Sequence, residues 1–194
     1  MKIRTNYVSN SSSSPFLVAY NDISAFDSIK KYKGYKEFIS DVEGEACDDE
    51  SKVKDFFVNK YHEILDSYMW NVRDRNILWK KESPTDEFKA LCRKFGCEDD
   101  EDVQDAYIEG VQNVELNAEA YCNGAYYDYN EFEPLATKFA DLLYEKMKQK
   151  FKNVSSFSYS DNDGDFYAYM EHDFMQALAS DDDDKYAVLS INNH

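Results

Sequence analysis

Basic residues are missing from two long stretches of this chain. Between Phe95 and Thr137 there are 12 acidic residues and no Lys or Arg, and between Asn153 and Asp184 there are 9 acidic residues and again none. The formal net charge of −17 is therefore local: 21 of the 39 acids lie in these blocks, and the remaining 18 face all 22 basic residues. Acidic surface of this kind argues against direct binding to nucleic acid or to an anionic membrane, since both require Lys and Arg. Long apolar runs are missing as well. No segment approaches the ~18 residues that a helical membrane span needs, and the N-terminus lacks the basic, apolar, small-residue order of a signal peptide. Cysteine is sparse: Cys47, Cys92, Cys97 and Cys122 in 194 residues do not form a disulfide framework, and a reducing, cytoplasmic setting is expected.

What is present suits a core. Hydrophobic residues make up 43% of the chain and aromatics 16%, with 16 Tyr and 13 Phe, enough to fold despite the charge. The length suggests a single domain over 1–194. The four residues between Cys92 and Cys97 would permit a zinc site. Phe88, Leu91, Cys92 and Phe95 recur at helical spacing, however, which places Cys92 on a buried stripe as a small apolar residue. No metal or cofactor is assigned.

The element pattern is that of an α+β protein. Pro15 to Tyr20 is a short apolar run that reads as a strand, and Tyr186 to Ile191 reads as another. Helices are expected from Ser24 to about Asp41, weakened by Gly34, and from near Ser51 with Phe56, Phe57, Tyr61, Ile64, Leu65 and Tyr68 on one face. A further helix is framed by Ser83 as N-cap, Pro84 at its first position, Asp86 in its first turn and Gly96 as its stop. Two more are expected over Glu98 to Gln112 and from Pro134 through Phe151. Val114 to Glu133 reads either as a loop or as a strand near Ala120 to Tyr127. Val154 to Ser160 and Phe166 to Glu171 alternate around Asp161-Asn162-Asp163-Gly164-Asp165, a β-hairpin signature. The expected architecture is several amphipathic helices packed on a small antiparallel sheet formed by N-terminal and C-terminal strands.

On a helix turning about 100° per residue, Glu98, Asp102, Asp105 and Glu109 share one stripe, opposite Val103, Ala106, Tyr107 and Val111. At a rise of about 1.5 Å per residue these carboxylates are spaced roughly 5 to 6 Å apart, comparable in scale to the phosphates of a nucleic-acid strand. A charged helix face is most simply a solvated face. Yet like charges at i,i+4 repel by a few tenths of a kcal/mol per pair, so an unbroken stripe gains from a basic partner. Tyr121, Tyr126, Tyr127, Tyr129 and Phe132, interleaved with Asp128 and Glu131, form either a partner-binding patch, because tyrosine is favoured at interface hot spots, or half-buried core. The candidate partner-binding residues are thus Glu98, Asp102, Asp105, Glu109, Tyr126, Tyr127 and Asp128.

The opening Val8-Ser9-Asn10-Ser11-Ser12-Ser13-Ser14-Pro15-Phe16 resembles the VSNSSSSSF-like start of many small phage and prophage proteins, with Pro15 in place of the last serine. The hairpin segment with Met170-Glu171-His172, and the ending Ile191-Asn192-Asn193-His194, resemble segments near the C-termini of such proteins. The resemblance implies a phage origin and the cytoplasm of a bacterial host. Phages commonly encode small acidic proteins that block host nucleases, among them anti-CRISPR proteins. Joined to the charge pattern, it leads to an expected function: an acidic inhibitor that mimics nucleic acid and binds the basic surface of a host defence nuclease such as a CRISPR effector. Catalysis is not expected. The alternatives are a metal-dependent hydrolase built on Asp161, Asp163, Asp165 and His172, and a virion or assembly protein. A serine from Ser9 to Ser14 acting as a nucleophile would need His62, His172 or His194 as its base.

Overall fold

The computed structural model describes residues 13–44, 49–75, 85–181 and 183–191. Contacts group the chain into two compact units, Met1–Asp48 with Lys152–His194, and Asp49–Phe151. The chain is α+β, as its pattern implied.

The first unit is built on three strands, β1 (Ser13–Tyr20), β2 (Asn153–Ser160) and β3 (Tyr186–Ser190), in the order β2-β1-β3 and antiparallel throughout. Strands from the two ends of the chain therefore meet in one sheet. Phe16 lies opposite Phe157 on one side and Ser190 on the other, and Tyr20 opposite Asn153 and Tyr186. The unbroken apolar run of β1 fits its central place, where residues of both faces are buried. Phe16, Val18 and Val188 share a core with Phe26, Phe38 and Phe174.

The helix expected over Ser24 to Asp41 is two pieces, a 3-10 helix Ile23–Ile29 capped by Asp22, and α1 (Tyr35–Gly44). Between them Gly34 has φ +92°, where side chains are disfavoured, and a Cβ there would overlap the Met170 sulfur. Gly34 thus divides the segment rather than weakening it. Helix α1 is tied to β2 by Ser155 Oγ, which donates to the Val42 carbonyl at 2.9 Å, and by the Tyr159 hydroxyl, which donates to Asp41 at 2.6 Å.

The expected hairpin has only its first arm. After β2, Asp161–Asp163 makes one 3-10 turn, and the chain continues as α7 (Asp165–Tyr169), a π-helical turn Met170–Met175 and α8 (Gln176–Ala179). The reason is periodicity. Phe166, Met170, Phe174 and Leu178 recur every four residues, a helical stripe whose first turn also fits an alternating pattern.

The second unit comprises α2 (Glu50–Arg75), α3 (Asp86–Phe95), α4 (Glu101–Leu116), α5 (Ala118–Cys122) and α6 (Tyr129–Lys150). Tyr61 packs on Phe139 with centroids 4.9 Å apart, and Phe88 stacks on Tyr107 at 4.0 Å. Gly110 of α4 lets α2 approach, since a Cβ there would overlap the Tyr61 hydroxyl, which donates to the Ala106 carbonyl at 3.0 Å.

Several boundaries differ from expectation. The N-cap of α3 is Thr85, whose Oγ1 accepts from the Phe88 amide at 3.3 Å; Ser83 and Pro84 lie outside the described residues. Gly96 ends α3 in the left-handed conformation, as expected. Helix α4 starts at Glu101 behind Asp100, whose Oδ1 accepts from the Val103 amide at 3.1 Å, so the expected Glu98–Gln112 span is displaced. Val114 to Glu133 is neither long loop nor strand: it holds the end of α4, α5 and the start of α6. Pro134 sits inside α6, because Asp128 caps the helix upstream by accepting from the Asn130 amide at 2.9 Å. The proline leaves the Asn130 carbonyl without its helical donor, at an exposed residue where water can replace it.

Candidate functional site

The acidic block includes one exposed helix face of the helical unit. Val103, Ala106, Tyr107, Val111 and Val114 bury one face of α4, which forces Asp102, Asp105 and Glu109 to the other, where all three are exposed. Three contacts run α4 antiparallel to α6: Asp100 with Lys146, Glu109 Oε2 with Lys138 Nζ at 3.8 Å, and Asn117 Nδ2 donating to Glu131 Oε1 at 3.5 Å. Lys146 holds the Asp100 carboxyl below its usual range through a hydrogen bond. Asp102 and Asp105 form no ion pair with any described residue. Glu98, expected on the same stripe, lies in the turn before α4 with its carboxylate 3.9 Å from Arg93.

The stripe leads to an aromatic end. His62 of α2 is buried, its Nδ1 2.9 Å from the Tyr127 hydroxyl and its Nε2 3.4 Å from Glu133 Oε2. Burial pushes the His62 imidazole below its ordinary value against the opposing pull of Glu133, so the neutral ring is favoured. The Tyr129 ring lies 5.1 Å from His62 and 5.0 Å from Tyr127, and Tyr127 stacks on Phe132 at 4.7 Å. Tyr127, a candidate contact residue, is thus turned inward, whereas Tyr126 is 80% exposed and Tyr129 52%. Asp128 is exposed, but its carboxylate serves as the cap of α6. Trp70, 41% exposed, hydrogen-bonds to Asp66, whose carboxyl burial holds above its usual range.

His62, Asp66 and Trp70 were not singled out for this surface by the sequence reading. Their signal is visible in hindsight: they stand at i, i+4 and i+8 on α2, a polar and aromatic row beside an otherwise apolar face.

The C-terminal acids do not make a comparable centre. Among the described residues no group of three or more His, Cys, Asp and Glu side chains is placed to hold a metal ion. His172 is 63% exposed, and Asp163 and Asp165 are exposed in a turn and a first helical turn. Ser14 Oγ donates to Glu171 Oε1 at 2.8 Å rather than to a histidine, and Ser9 to Ser12 and His194 lie outside the described residues. Glu171 is 3% exposed, and its Oε2, 3.9 Å from His172 Nε2, has no hydrogen-bond partner among the described residues. No described helix is long and apolar enough to cross a membrane.

No protein-family model matches the chain, and no curated protein or solved structure matches it.

Proposed function

We propose that the chain is a binding protein whose acidic helical unit occupies a basic, nucleic-acid-binding surface on a protein partner. One observation carries this reading: Asp102, Asp105 and Glu109 stand exposed on one helix face, in a 95–137 segment that contains no Lys or Arg. Asp102 and Asp105 are separated by about 4.5 Å along the axis and Asp105 and Glu109 by about 6 Å, a spacing that suits lysines and arginines arranged for phosphates. The Glu109 to Lys138 bridge is about half exposed at both ends and weak enough to yield to a partner's cation. Tyr126 and Tyr129 supply rigid aromatic area near the far end of the stripe, beyond the Asn117 to Glu131 contact.

The resemblance of the opening segment to phage proteins turns this general reading toward a defence nuclease of a bacterial host, such as a CRISPR effector. Binding by charge replacement makes two demands. Affinity falls steeply with added salt, because the interaction replaces counterions, and the partner loses its nucleic acid when the chain is bound. The test is a capture experiment with the tagged chain and a panel of purified host nucleases, washed at low and high salt. Retention at low salt that is lost at high salt, and lost with Asp102→Asn/Asp105→Asn, supports the reading. Salt-insensitive retention, or none, contradicts it.

A further inference from the structure

We propose that Cys92 and Cys97 are a peroxide-oxidisable dithiol that closes into a disulfide across the C-terminal turn of α3. Helical spacing places Cys92 on a buried stripe, and the turn that ends α3 brings Cys97 to it. Gly96, at φ 66° and ψ 36°, reverses the chain so that the Cys97 amide donates back to the Cys92 carbonyl at 3.0 Å. This closing bond of a Schellman turn carries Cys97 over Cys92. The Cys97 thiol donates to the Cys92 carbonyl oxygen at 3.6 Å, which brings it to the Cys92 side of the turn. Both residues are reduced and buried. A disulfide needs its α-carbons within about 4.4 to 6.8 Å, and a turn closed by a hydrogen bond between the two residues' own backbones meets that requirement.

The two thiols are not equivalent. The neighbouring Cys92 thiol holds the Cys97 thiol below its ordinary value, assisted by Lys146 and opposed by burial and Asp100. Cys92 is held above its ordinary value by the same contact and by burial. Cys97 is therefore the attacking sulfur and Cys92 the resolving one. Cys97 is buried, and Gly96 and Glu98 on either side of it are exposed, so the peroxide reaches it from the turn. In the first step the Cys97 thiolate attacks the peroxide, the O–O bond breaks, and Cys97 becomes a sulfenic acid as hydroxide takes up a proton to leave as water. In the second, the Cys92 sulfur attacks the sulfenic sulfur, the S–O bond breaks and a second water leaves with the Cys92 proton. Two thiols are oxidised by two electrons and one peroxide is reduced to two waters. The new bond would tie the end of α3 to the turn just before Asp100, the cap from which the acidic stripe of α4 begins.

Trypsin makes the test direct, because Arg93 and Lys94 lie between the two cysteines. The full folded chain is treated with hydrogen peroxide, free thiols are alkylated, and the protein is digested without reductant. The expected result is a pair of tryptic peptides joined through Cys92 and Cys97, which separate on reduction. In a Cys47→Ser/Cys122→Ser variant the titratable thiols fall from two to none. Cys92→Ser should stop at a trappable sulfenic acid on Cys97, and Cys97→Ser should leave Cys92 alkylatable. Recovery of the two peptides unlinked after peroxide, with both cysteines alkylated or Cys97 overoxidised, would overturn the proposal. Because that readout is made on the unaltered chain, it holds even where a variant folds poorly.

Discussion

At the scale of single residues, Glu171 and His62 are the buried polar side chains that carry the clearest predictions. Glu171 is buried, with Oε1 accepting from Ser14 and Oε2 without a hydrogen-bond partner among the described residues, 3.9 Å from His172 Nε2. Glu171→Gln retains the acceptor for Ser14, so thermal unfolding should show stability within about 1 kcal/mol of the parent. A loss of more than about 1 kcal/mol would mean that the charge itself has a role. His62 is held neutral by burial, so the unfolded chain binds more protons than the folded one as the pH falls below about 6.5. Its contribution to stability is complete above that pH and declines on acidification. The parent should therefore lose stability faster than His62→Gln between about pH 7 and 5 in urea titrations, and parallel losses would refute the assignment. Gly110→Ala must displace the Tyr61 hydroxyl, and the urea midpoint should report a loss of about 1–3 kcal/mol.

At the scale of elements, the stripe on α4 should be separable from the fold. Asp102 and Asp105 are exposed and form no ion pair with a described residue, so Asp102→Asn/Asp105→Asn should change unfolding free energy by no more than about 0.5 kcal/mol per site while weakening partner binding. Much of this element was legible in advance, because apolar residues at 103, 106, 107 and 111 set both its type and its buried face. Its start was not: Glu98 and Asp100 are both acidic, and only the hydrogen bond from the Val103 amide identifies Asp100 as the cap. The same competition displaced the start of α6, where Pro134 satisfies the preference for a first-turn proline but Asp128 captures the Asn130 amide first. The sheet was legible because β1 is a compact apolar run. The segment after β2 was misread because a hairpin turn and a helix N-terminus draw on the same Asp, Asn and Gly residues. The pairing of His62 with Tyr127, 65 residues apart, left no local mark in the sequence.

At the scale of the whole molecule, the decisive property is where charge is absent. The helical unit carries a continuous segment without Lys or Arg, in which exposed Asp102, Asp105 and Glu109 lie on one side of α4. Under the proposed function, such a surface meets the basic surface of a protein that binds nucleic acid. The most direct measurement follows a labelled duplex or guide complex bound to each nuclease of a host panel by fluorescence anisotropy, as the chain is titrated in at low and at high salt. The account predicts that the nucleic acid is released from at least one nuclease at low salt, that release weakens steeply at high salt, and that Asp102→Asn/Asp105→Asn weakens it further. Nucleic acid that stays bound across the panel, or release unaffected by salt and by the two substitutions, would contradict it.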